Sequence, residues 1–124
     1  MRRWMTLASA ALLLTAFIPM VARAAPYGCL NSGTTIRGTN GNDTIYGTNY
    51  RDVISALGGA DAVHALGGDD RVCGDAGADV ISDGFGQDIV DGGDAYDTLY
   101  LCPDGAWDRW VNVERVVPTN LGCR

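Results

Sequence analysis

Lysine is absent from this chain of 124 residues, and histidine occurs once. Nine arginines against fifteen acidic residues leave a formal charge of −6. Such a surface repels nucleic acid and anionic lipid and attracts multivalent cations, so no nucleic-acid partner is expected. With a single histidine and no C-x-x-C spacing, a zinc site lacks its ligands. There is no H-E-x-x-H, no G-x-S-x-G and no P-loop. Carboxylates are so numerous that a glycosidase-like pair could be drawn almost anywhere, which deprives any such pair of meaning. No enzyme activity is expected. The longest apolar stretch, residues 7–18, falls short of the roughly 20 residues a spanning helix needs, so no membrane insertion is expected either.

That stretch has another reading. Arg2 and Arg3 precede it, and Pro19 and the small-residue site Ala22-Arg23-Ala24 follow it. Charged start, apolar middle and A-x-A end describe a secretory signal peptide, residues 1–24, cleaved after Ala24. Export sharpens the charge: three arginines leave with the signal and all fifteen acids stay, six minus fifteen giving −9. Four cysteines remain, Cys29, Cys73, Cys102 and Cys123. An even count in a small exported chain reads as two disulfides, with three pairings open. Cys102–Cys123 is preferred because it closes a short C-terminal loop, which leaves Cys29–Cys73. The expected location is secreted, extracellular.

What the chain has in abundance is order at a fixed interval. Asp43, Asp52, Asp61, Asp70, Asp79, Asp88 and Asp97 stand nine residues apart. Two positions after each comes a branched aliphatic residue: Ile45, Ile54, Val63, Val72, Ile81, Val90 and Leu99. Written in nines from Gly38, the units are GTNGNDTIY, GTNYRDVIS, ALGGADAVH, ALGGDDRVC, GDAGADVIS, DGFGQDIVD and GGDAYDTLY. The first six positions are rich in Gly, Asn and Asp, which tolerate tight turns and positive φ. The last three centre on one aliphatic residue, which suits a very short strand with a single buried side chain. A period of this kind marks a solenoid in which each repeat buries its face only against its neighbours. Two units make one flattened coil of 18 residues.

These units resemble the glycine-rich nonapeptides of the hemolysin-type calcium-binding (RTX) family, consensus G-G-x-G-x-D-x-U-x. The resemblance covers residues 38–100. It implies an all-β fold, a right-handed parallel β-roll, with several Ca²⁺ ions held between loops on the same edge by loop carbonyls and sixth-position aspartates. One edge would carry Asp43, Asp61, Asp79 and Asp97, the other Asp52, Asp70 and Asp88. Gly59, Gly68, Gly77 and Gly86, at the fourth position, would turn carbonyls toward the metal. Calcium takes 6–8 hard oxygens in a forgiving geometry, which this donor set supplies. Adjacent pairs give three candidate sites on the first edge and two on the second, of which about three to four are expected to be filled.

Departures from the pattern rank the sites. Tyr50 and Ala95 replace the fourth-position glycine, so pairs using Asp52 or Asp97 are expected to be the poorest. Asp61–Asp79 and Asp70–Asp88 are expected to be the best. Ala56, Ala65 and Asp83 replace the first glycine, and Leu57 and Leu66 occupy the second position. Further acids crowd the loops at Asp69, Asp75, Asp83, Asp91 and Asp94. Aspartates in turns can also cap loops by accepting N–H bonds with no metal. Stacked about 5 Å apart, however, their charges repel unless screened.

The expected organisation is a signal peptide (1–24), an N-terminal cap (25–37), seven repeats (38–100) and a C-terminal cap (101–124). In the last segment Val111 and Val113 alternate with polar residues as in a strand, and Asn112-Val113-Glu114 resembles the N-[IV]-E segment that follows such repeats in this family. His64, at the ninth position of its unit, should face outward. The expected function is a secreted calcium-binding protein whose roll folds around the ion. The alternative is an extracellular adhesion or carbohydrate-binding module that presents Trp107, Trp110, Tyr46 and Tyr100 to a polysaccharide or protein.

Overall fold

The computed structural model describes Cys29, residues 33–120 and Cys123. The expected signal peptide and most of the expected N-terminal cap lie outside the described residues. Among the described residues ten short strands run in chain order: β1 (Ile36–Arg37), β2 (Thr44–Tyr46), β3 (Val53–Ser55), β4 (Ala62–His64), β5 (Arg71–Cys73), β6 (Val80–Ser82), β7 (Ile89–Asp91), β8 (Thr98–Leu101), β9 (Arg109–Val111) and β10 (Arg115–Pro118). Odd strands form one five-stranded sheet and even strands another, each in chain order, with every neighbouring pair parallel. The fold is a parallel β-solenoid of about five turns, a β-roll.

The period explains the topology. Strands nine residues apart fall on opposite sheets, and strands eighteen apart pair in register: Ile54 with Val72, Val72 with Val90, Val63 with Ile81, Ile81 with Leu99. Each three-residue strand from β2 to β7 aims its central side chain inward, whereas the central Trp110 of β9 is exposed. Ile45, Ile54, Val63, Val72, Ile81, Val90 and Leu99 form one continuous core, joined by the buried methyls of Ala56 and Ala65. No single turn could bury its aliphatic residue alone, so the core exists only as a stack.

The loops hold a left-handed backbone at two positions of each later unit. At the fourth position Gly59, Gly68, Gly77 and Gly86 have φ between 109° and 130°. A Cβ on Gly77 would collide with the carbonyl oxygen of Gly59, and one on Gly86 with that of Gly68. Glycine is thus required for turns to stack this closely. At the second position Leu57, Leu66 and Asp75 adopt φ of 76°, 77° and 68° although each carries a Cβ. Their carbonyls accept bonds from the next turn at 2.7–2.8 Å, from Ala76, Phe85 and Asp94, and this pairing holds the strained backbone in place.

Both disulfides have the pairing preferred from the sequence, Cys29–Cys73 and Cys102–Cys123. The first ties the N-terminal segment to β5, where Thr34 also donates its hydroxyl proton to the Cys29 carbonyl at 3.0 Å. The tail continues the roll: β9 extends the odd sheet beside β7, and β10 extends the even sheet beside β8. Val113 and Val116 pack against the end of the core. His64 faces outward, as expected, and stacks on Tyr46 with ring centroids 4.9 Å apart.

Because Ile81 is fully buried midway along the ladder, Ile81→Ala should destabilise the oxidised chain by about 2–5 kcal/mol. Denaturant unfolding checks this, and a change within the error of the midpoint would contradict a shared core.

Candidate metal centre

The sixth-position aspartates do two things at once. From Asp61 onward, one oxygen of each accepts the backbone N–H of the aspartate eighteen residues earlier. On the first edge Asp43 donates to Asp61 Oδ1 at 2.7 Å, Asp61 to Asp79 at 2.8 Å and Asp79 to Asp97 at 2.8 Å. On the second, Asp52 donates to Asp70 and Asp70 to Asp88, both at 2.8 Å. The structure therefore brings together the two sets of residues that the resemblance implies. The other oxygen, Oδ2, is buried and unpartnered in Asp61, Asp70, Asp79, Asp88 and Asp97. A charged oxygen left bare in this way is costly, because desolvation is not repaid by a hydrogen bond.

The bare oxygens do not stand alone. A Cβ built on Gly74 would fall between Asp79 Oδ2 and the Gly92 carbonyl oxygen. One built on Gly92 would meet Asp97 Oδ2 and the Asn112 carbonyl. The first-position glycine thus leaves a small cradle lined by a carboxylate oxygen and a carbonyl oxygen of the next turn. A bare carboxylate oxygen and a carbonyl oxygen, both hard donors in a glycine-made space, fit a calcium ion. They do not fit the metal-free turn, in which every aspartate oxygen would be satisfied by backbone donors.

Two loops are built differently. Thr39 gives Asp43 Oδ2 both its N–H (2.6 Å) and its hydroxyl (2.9 Å), and Thr48 does the same for Asp52 at 2.7 and 2.8 Å. The second-position threonine thereby satisfies the oxygen that is bare elsewhere. The Asp97 loop, by contrast, keeps the geometry of the glycine loops, because Ala95 itself adopts φ of 89°. The distinction among loops follows the second position more than the fourth. Thr39 and Thr48 were visible in the sequence, but what they bond was not.

The ladder also runs past the repeats. Asp88 N–H donates to Asp108 Oδ1 at 3.0 Å, and Asp97 N–H to Glu114 Oε2 at 2.7 Å. Asp108 and Glu114 thus act as the next aspartate on each edge, displaced by 20 and 17 residues instead of 18. The signal was present in Asp108-Arg109-Trp110 and Glu114-Arg115-Val116, which keep the acid-x-apolar spacing after the nine-residue phase is lost.

Burial and mutual repulsion raise the affinity of Asp70, Asp79, Asp88 and Asp97 for protons. Desolvation is the leading cause throughout, opposed by the backbone N–H bond and reinforced by neighbouring carboxylates. It lifts Asp70 to about 6, Asp79 to about 7 and Asp88 to about 8. Asp97 is raised as well.

A parallel β-roll with such ladders along both edges defines a solenoid of calcium-binding repeats. The chain belongs to the RTX calcium-binding nonapeptide repeat family, whose model matches residues 37–72 and 66–99, together half its length. That family is one of structural calcium-binding repeats. Among curated proteins and among solved structures, nothing matches the chain.

The sign of the pH dependence follows from the raised values. In the unfolded chain these aspartates titrate near 4, so between about pH 4 and 8 the folded state holds more protons and stability falls as pH rises. In chelator the thermal midpoint should be highest near pH 4–5 and drop toward pH 8. A midpoint that climbs over that interval would contradict the burial of the carboxylates.

Proposed function

We propose that the protein is an exported calcium-binding β-roll in which the ion completes the fold. The single observation that carries this reading is the row of buried, unpartnered Oδ2 atoms at Asp61, Asp79 and Asp97 on one edge and Asp70 and Asp88 on the other. Calcium between successive loops would replace repulsion with shared ligation and satisfy those oxygens. Asp43 and Asp52, already bonded by threonine, would contribute least. Loop carbonyls around Gly59, Gly68, Gly77 and Gly86 would supply further donors.

Calcium that binds only the folded form stabilises it by RT ln(1 + [Ca]/Kd). Extracellular modules commonly have Kd near 10⁻⁴–10⁻³ M, which matches a chain that meets calcium after export. Two disulfides and RTX repeats are features typical of extracellular proteins. In this reading residues 1–24 are the export signal and residues 25–37 and 101–124 close the two ends, without which the stack would expose its core and sheet edges.

A second reading has its own observation. Trp107 is 83 % exposed and Tyr46 62 %, and exposed aromatic residues of this kind can stack on sugar rings. Under this reading the loaded roll is a scaffold for adhesion or carbohydrate binding. Pull-down on insoluble polysaccharide tests it: retention lost in Trp107→Ala supports it, and retention by neither variant nor wild type removes it.

For the main reading, the oxidised chain is titrated with calcium from chelator and followed by far-UV circular dichroism. A cooperative gain of β signal at sub-millimolar to millimolar calcium is expected, with Asp79→Asn shifted to higher concentration. Asparagine at 79 keeps the acceptor for Asp61 N–H but loses the charge. A spectrum indifferent to calcium would sink the proposal.

A further inference from the structure

The seven first positions hold Gly38, Gly47, Ala56, Ala65, Gly74, Asp83 and Gly92. Asp83 alone carries a charge, and it is wholly buried. Its Oδ1 accepts the Cys102 N–H at 3.0 Å, while its Oδ2 has no partner. The first-position Cβ points at the bare sixth-position oxygen of the same repeat, as Gly74 does at Asp79 and Gly92 at Asp97. In this repeat the space left open by glycine is filled by a second carboxylate. A third arrives from outside the repeats: Asp108, anchored by its bond from Asp88 N–H. One oxygen from each of Asp83, Asp88 and Asp108 lies within 4.8 Å of the others.

We propose that Asp83, Asp88 and Asp108 form a distinct terminal cation site, a three-carboxylate cage for a hard ion of the calcium class at the C-terminal end of the second edge. Two of its three members, Asp83 and Asp88, are buried with an unpartnered oxygen. The nonapeptide pattern does not specify this site, because one ligand occupies a glycine position and another lies in the tail. The choice of ion rests on the reading of the roll above; the residues do not.

Its chemistry differs from that of the pairs along the ladders. Three carboxylates give the site more negative charge than two aspartates with carbonyls, and calcium affinity rises with ligand charge. A trivalent lanthanide, which is also oxygen-seeking, should be favoured still more strongly. Burial and the nearness of Asp108 lift Asp83 to about 7, in keeping with a site whose charges await a cation. A hollow of about 340 Å³ lined by Gln87, Asp88, Ile89, Trp107 and Arg109 adjoins the cluster at Asp88. Binding there would tie the tail, through Asp108, to the sixth repeat, and so couple closure of the roll to the metal.

Trp107 supplies the readout. Terbium bound beside it should emit when tryptophan is excited, and calcium should displace the signal. Asp83→Asn and Asp108→Asn keep the acceptor oxygens for Cys102 and Asp88 but remove the charges. Each is expected to bind one calcium ion fewer by equilibrium dialysis and to lose most of the sensitised emission, with the β signal in calcium retained. Trp107→Phe, at an exposed position, should cut the emission several-fold and leave the ion count unchanged. Wild-type ion count and emission in both asparagine variants, or undiminished emission in Trp107→Phe, would overturn the site while the roll still bound calcium. A wild-type chain that bound no calcium at all would overturn the reading of the roll together with this one.

Discussion

Everything in this roll depends on how a stacked aspartate divides its two oxygens. One oxygen accepts the N–H of the turn before it, which joins successive coils at a fixed spacing and on a fixed edge. The other is left buried without a donor. The first bond holds the loops in register. The second oxygen imposes a penalty that only a proton or a cation can remove. Architecture and metal binding are therefore two consequences of one side chain, and a chain with a formal charge of −6 and no lysine has no abundant internal cation to offer instead.

The aliphatic ladder is the complement to that constraint. It contributes one inward residue from each strand from β2 to β8, and short strands would not persist without neighbours on both sides. The core and the Oδ1 bonds draw the stack together; the charges on the bare oxygens drive it apart as pH rises. In the proposed function, the balance between them would make the fold responsive to calcium. The ends need separate treatment, and each receives a disulfide: Cys29–Cys73 near the start and Cys102–Cys123 in the tail. Val113 and Val116 cover the last rungs of the core, and Asp108 and Glu114 prolong the hydrogen-bond ladders.

Much of this was legible because the period is linear information. Asp-x-aliphatic at nine-residue intervals assigns each strand, its inward residue and its edge without reference to any distant contact, and both sheets follow it. The early loops were less legible. Threonine at 39 and 48 looks like any turn former until its hydroxyl is found on Asp43 and Asp52. The tolerance of Ala95 for a left-handed backbone was equally hidden, since a β-carbon there is disfavoured locally and is permitted only by the surrounding stack.

By itself the amino-acid sequence determined the repeat, the coil length, the identity of the core and the division of aspartates between two edges. All of these follow from a spacing that matches the two-strand turn of a solenoid. Only the tertiary structure decided which carboxylate oxygens are spent on backbone donors and which remain bare. Only it brought Asp83, Asp88 and Asp108 within reach of one another. The physical reason is that hydrogen-bond satisfaction depends on where atoms of different turns meet, and the tail meets the roll at displacements that no longer obey the period.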